Sequence, residues 1–176
     1  MKKIITIGAS SSKNSINKIL AEYTGSLLNE VELLKLDLNN YEMPIFSIDI
    51  ENEKGIPTLA NDLQAVFKKA DGFIISFAEH NGAYSAAFKN VFDWLSRIDG
   101  KVWQNKPMLL LATSPGERGG QTVLDIAKAR FPFNGGEIIG SLAIPSFFDN
   151  FKDNELINKD LKTALLNLVN DFQKAV

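Results

Sequence analysis

Hydroxyl and carboxamide side chains crowd into one short stretch near the N-terminus. Ser10, Ser12, Ser15 and Asn17 all lie in the run G-A-S-S-S-K-N-S-I-N from Gly8 to Asn17. The apolar, β-branched run Ile4–Ile7 leads into it and an amphipathic stretch leads out. It therefore reads as a strand that ends in a small-residue loop and feeds a helix N-terminus. Such a junction is a seat for an anion. Backbone N–H groups point outward there, the helix dipole is positive, and short side chains let a phosphate approach closely. Neither G-x-x-x-x-G-K-[ST] nor G-x-G-x-x-G is present, which excludes a nucleoside-triphosphatase P-loop and the dinucleotide fingerprint. A terminal phosphate monoester gripped by hydroxyls and amides remains. The competing reading is a Ser/Asn-rich turn that simply caps a helix through Asn14 or Ser15.

Two further stretches carry the same small, polar character. Glu79, His80, Asn81 and Gly82 follow the apolar run Phe73–Phe77, and Ser114, Pro115, Gly116, Gly119 and Gly120 follow Met108–Thr113. Gly82 lets backbone approach a flat ligand, and the glycines of the later loop leave room for a ring edge. A phosphate on the first loop and a planar heterocycle across the other two describe a mononucleotide, and flavin mononucleotide (FMN) fits best. His80 is the only histidine and there is no cysteine, so no metal site is expected. As an imidazole, His80 has the means to supply a proton, but a place against the ligand or solvent is the simpler reading. The serines lack a His/Asp pair beside them, and no side chain is expected to be catalytic.

The elements that must position these loops follow from periodicity. Strands are expected at Ile4–Ile7, Val31–Leu36, Phe73–Phe77, Met108–Thr113 and Glu137–Ile144. Helices are expected through Ile16–Leu27, after Pro57, over Ala86–Arg97, through Val123–Ala127 and over Leu156–Val176. The stretch Asp37–Ser47 is polar and turn-rich, and Ala78–Ser85 and Ser114–Gly120 read as loops. Strand and helix alternate five times, which implies an α/β fold: one doubly wound, five-stranded parallel sheet with helices on both faces. In the strand order 2-1-3-4-5 the three small-residue loops become neighbours on the carboxyl rim, where such folds bind ligands.

Composition removes other classes. The chain has 176 residues, a net charge of −2 and 45% hydrophobic residues, as expected of one domain (1–176) without a nucleic-acid-binding stripe. The absence of cysteine excludes disulfides and thiolate chemistry and suits a cytoplasmic protein. No apolar run approaches the ~20 residues of a membrane span. Lys89, Asp93 and Arg97 are spaced to pair along a helix, and Phe147, Phe148 and Phe151 are candidates for an interface, a pocket cover or core.

Three motifs in this order resemble the NADPH-dependent FMN reductase family of flavodoxin-like quinone, chromate and azo-compound reductases. They are G-A-S-S-S-K-N-S-I-N at Gly8–Asn17, A-E-H-N-G-A-Y-S-A-A-F-K-N-V-F-D-W-L-S-R at Ala78–Arg97, and T-S-P-G-E-R-G-G at Thr113–Gly120; Tyr41–Phe46 is similar to the family's D-x-x-P-x-Y stretch. The resemblance implies a flavodoxin-like fold with FMN as cofactor and NADPH or NADH as electron donor. It assigns the phosphate to Ser10, Ser12, Ser15, Ile16 and Asn17. The isoalloxazine goes to Ala78, Glu79, His80, Asn81 and Gly82, and its other edge to Ser114, Pro115, Gly116, Gly119 and Gly120. Hydride would pass to a quinone-like or other small acceptor, in a homodimer or homotetramer. Ser12 stands where many relatives carry an arginine, which leaves Lys13 as the nearby cation. His80 and Ala78 replace a tyrosine and a proline. The alternatives are a non-enzymatic electron carrier of the flavodoxin type, against which the weak net charge argues, and a phosphate-binding regulatory module.

Overall fold

Successive residues of a strand face opposite sides of its sheet, and here both sides are apolar. In the computed structural model, which describes residues 1–176, the chain runs through β1 (Lys2–Ala9), α1 (Ile16–Ser26), β2 (Val31–Leu36), α2 (Ile48–Lys54), α3 (Thr58–Lys68), β3 (Gly72–Phe77) and α4 (Ala86–Ile98). It continues through β4 (Lys106–Thr113), α5 (Gln121–Arg130), β5 (Gly136–Ile144), α6 (Phe147–Asn150) and α7 (Lys159–Ala175). The five strands form one parallel sheet in the order β2-β1-β3-β4-β5, as alternation of strand and helix implies. Ile5, Ile7, Phe73, Ile75, Met108 and Leu110 pack beneath α3, α4 and α5. Ile4, Ile74, Leu109 and Leu111 turn the other way, toward Leu20 of α1 and Leu165, Val169 and Phe172 of α7.

The winding changes direction between β1 and β3, so the helices that follow these two strands leave on opposite faces and open a crevice at the rim. Register keeps the strand ends level there: Ala9 pairs with Phe77, and Phe77 with Ala112. Gly8 is required at this point. A Cβ on it would lie 2.4 Å from Cα of Lys18, so only glycine lets the first turn of α1 rest directly on β1.

Some local features depart from the sequence reading. Ala78–Ser85 is not a plain loop: Glu79–His80 and Ala83–Tyr84 pair as a two-residue antiparallel hairpin, with Asn81 and Gly82 both at positive φ. That is the geometry of an Asn-Gly turn. A second hairpin, Phe151–Leu156, takes up Leu156, the residue expected to start the last helix, which begins instead at Lys159 with Asn158 as its cap. Helix α2 was not expected, since none of its residues is buried and it has no apolar stripe. It and the segment before it are tied to α4. Asn90 Nδ2 donates to the carbonyls of Met43 and Pro44, and Trp94 Nε1 also donates to Pro44, at 2.7 Å. Lys89 and Asp93 pair as their spacing predicts, whereas Arg97 turns to Glu51 of α2. No helix is long and apolar enough to cross a membrane.

Candidate functional site

The crevice holds an open groove of about 240 Å³ on the carboxyl rim. From the first loop it is lined by Ser10, Ser12, Ser15, Ile16 and Asn17, and from the second by Ala78, Glu79 and His80. Ser114 and Pro115 line it from the third. Asn81, Gly82, Gly116, Gly119 and Gly120 lie outside this lining. Asn81 and Gly82 make the hairpin turn, and Gly119 packs against the end of β5, where a Cβ would fall 2.8 Å from Ile144 and Pro145. Gly120, in the left-handed region, begins α5. The carbonyl of Gly116 accepts from Gly119 and Ser146, which holds the third loop to the turn after β5.

The first loop is built around its helix end. Of the two candidate caps Ser15 is the one used, and its Oγ accepts from the N–H of Lys18 at 3.1 Å. The first helical N–H groups have no carbonyl to reach within their own helix. Those of Ile16 and Asn17 have no partner in the protein, and both residues line the groove. Ser10 Oγ accepts from Ser12 N–H at 3.1 Å, which folds the loop back on itself.

No free positive charge is fixed at this end. Lys18 is paired with Asp37 at 2.5 Å. The Lys18 hydrogen bond holds the Asp37 carboxyl down to about 2, and the same bond raises the ammonium. Lys13 is exposed and has no acidic partner.

The third loop leads into a helix end of different chemistry. Gly120 has no side chain to cap α5, and Glu79 from the second loop does it instead: its Oε2 accepts from Val123 N–H at 3.0 Å. The only acidic side chain of the lining is thus turned onto α5. Arg118 is also occupied locally, donating to Thr122 Oγ1 at 2.8 Å.

A groove at the switch point, with a neutral anion seat at one end and small loops at the other, is the arrangement of a mononucleotide site. The sequence profile of NADPH-dependent FMN reductases matches residues 2–149. The chain belongs to this family. It is 28% identical over 122 residues to a quinone reductase of Escherichia coli (strain K12), a match that covers 67% of this chain and 63% of that protein. An NADPH azoreductase of Bacillus sp. (strain OY1-2) is 28% identical over 123 residues, covering 70% of this chain and 65% of the relative. The chain thus spans about two thirds or less of the length of these relatives. Among solved structures, a flavoenzyme NAD(P)H:(acceptor) oxidoreductase from Paracoccus denitrificans superposes with a TM-score of 0.82 at 20% identity, covering 99% of this chain and 97% of that one. That likeness is one of fold.

Two lining residues were not singled out for the site, Asn14 and Thr113, and a third, Phe148, was named only as one candidate for a pocket cover. Phe148 is 62% exposed, while its neighbours Phe147 and Phe151 are buried in the core and stack on each other. Its place after the fifth strand, beside the rim, was the available signal. Thr113 is the last residue of a continuous apolar strand, and nothing in its type marks it.

Proposed function

We propose that the protein is an FMN-dependent NAD(P)H oxidoreductase that passes electrons to a quinone-like or other small acceptor. The observation that carries this is the pair of unpartnered N–H groups on Ile16 and Asn17, at the end of a groove that collects loop residues from three strand ends. Its donor set fits a phosphate monoester: two amides, the hydroxyls of Ser10, Ser12 and Ser15, a positive helix end, and no carboxylate turned toward them. These residues would hold the phosphate. Ala78, His80, Ser114 and Pro115 would flank the ring, with Asn81, Gly82, Gly116, Gly119 and Gly120 shaping the two loops and Phe148 shielding the mouth from water. The chemistry that bound FMN supplies is two-electron exchange between NAD(P)H and the acceptor; the chain's own part is binding, orientation and exclusion of solvent. Glu79 is engaged on α5, which leaves His80 as the one titratable side chain of the lining, and no required proton is assigned to it.

The family match supports FMN, and the quinone and azo-compound relatives support a small acceptor. Self-association as a dimer or tetramer is part of the reading. Ile45 at 83% exposure and Ile48 at 52% leave apolar surface beside α4 for it. A cytoplasmic setting suits the cysteine-free chain.

Anaerobic spectroscopy tests the proposal. Protein loaded with FMN should bleach on addition of NADPH or NADH and recover its colour when a quinone is added. A yellow protein that bleaches with neither donor would leave a flavin carrier in its place.

A further inference from the structure

The resemblance gives Asn17 to the phosphate, but its side chain is occupied elsewhere. The residue is only 3% exposed. Oδ1 accepts from Ser76 Oγ at 2.7 Å and from Thr113 N–H at 3.0 Å, while Nδ2 donates to the Thr113 carbonyl at 3.1 Å. A carboxamide oxygen has two lone pairs, and both are taken. The orientation of the amide is fixed as well, since a flip would set its NH2 against the Thr113 N–H.

This set of bonds has a structural meaning. The ladder between β3 and β4 ends at the pair Phe77 and Ala112. Thr113 lies one residue beyond it, and its N–H and C=O on that side would face the rim without a strand to meet them. The Asn17 amide meets both, as a peptide group of a neighbouring strand would. On the other side, Thr113 Oγ1 donates to the carbonyl of Ile144 at 2.7 Å. One side chain on the first turn of α1 therefore joins the end regions of β3 and β4, and Thr113 carries the connection on to β5. Its own backbone N–H, meanwhile, is one of the two that form the anion seat.

We infer that Asn17 is a positioning residue for the FMN site, acting through Ser76 and Thr113 rather than through a side-chain bond to the phosphate. The inference rests on the FMN reading above. Ser76 is fully buried and does not line the groove, so it touches no ligand, yet it holds Asn17. Removing either residue loosens the seat on α1 relative to the rim residues Thr113 and Ser114, and a ligand that spans both should feel it.

The test is a double-mutant cycle on flavin affinity, read by quenching of flavin fluorescence, with Asn17→Ser, Ser76→Ala and the double variant, and with FMN and riboflavin as probes. Ser76→Ala should raise the Kd for FMN about threefold and Asn17→Ser about tenfold, riboflavin, which has no phosphate to reach the seat, should be moved less in both, and the double variant should be no weaker than Asn17→Ser, as for residues acting as one unit. If Asn17→Ser does not fold, Ser76→Ala alone decides, because it removes a single bond. An unmoved FMN Kd in Ser76→Ala, with Asn17→Ser weakening FMN but not riboflavin, would show a direct phosphate contact and overturn the inference. Lowered melting temperatures with unmoved Kd values would reduce the network to stability and overturn it too. Wild-type protein that quenches neither flavin would remove the FMN reading and the inference with it.

Discussion

Two helices begin at the rim of the groove, and they receive charge differently. Helix α1 is capped by a neutral hydroxyl of its own chain segment, Ser15, and leaves the N–H groups of Ile16 and Asn17 open. Helix α5 begins at a glycine and borrows a carboxylate from Glu79. Its Gln121 N–H donates to the Arg118 carbonyl and its Val123 N–H to Glu79, so little is left to offer a ligand. Both ends carry the same dipole, but only one still has room for an anion. On the proposed reading, the contrast is the reason to put a phosphate on the first loop and a neutral ring edge on the third. It also gives Glu79 a structural task.

The largest effect should come from abolishing the seat. Gly8→Val places side-chain atoms where Cα of Lys18 already lies, and overpacking of this kind costs about 3 kcal/mol or more. Chemical denaturation should show the loss, with FMN binding lost alongside it. Ser15→Ala removes the cap and should cost about 1 kcal/mol in stability, with FMN retention after gel filtration falling as well. If Ser15→Ala lowers stability and leaves FMN retention intact, the seat is not at α1.

Acid probes the same helix. The Asp37 carboxyl lies at about 2 in the folded chain against an ordinary 3.8, because Lys18 bonds it. The stability from this pair is therefore fully present above the ordinary value and is lost as pH falls toward 2. Discounted for a pair about a third exposed, it should amount to about 1 kcal/mol. Asp37→Asn should flatten the acid limb of the unfolding curve measured by circular dichroism.

Glu79→Ala opens α5 and should cost about 0.5–1 kcal/mol, with less effect on FMN than Ser15→Ala. An equal or larger loss of FMN would erase the distinction between the two helix ends. The smallest change expected is a gain. Ser12→Arg adds a fixed charge to a seat that has none and should tighten FMN several-fold, an advantage that salt should shrink.

Much of this was legible in the chain itself. The apolar runs at Ile4–Ile7 and Phe73–Phe77 mark central strands, and Gly8 with the serines marks the helix end. Alternation brings the three loops to one rim. What could not be read are bonds between distant positions. Asn17 looks like one more donor for a ligand until Ser76 and Thr113, 59 and 96 residues away, are found beside it. Glu79 likewise meets Val123 44 residues on. Helix α2 buries no residue fully, with Ile50 alone packed half-buried against the core, and so leaves no periodic trace, and two-residue strands are too short to show alternation, although Asn81-Gly82 did carry the signal of a hairpin turn.

A crystal structure with FMN bound tests the contrast between the two helix ends most directly. The phosphate should accept from the N–H groups of Ile16 and Asn17 at about 3 Å, with Glu79 still bonded to Val123 and no phosphate oxygen near Gln121. Phosphate density at the start of α5, with Glu79 displaced, would contradict it.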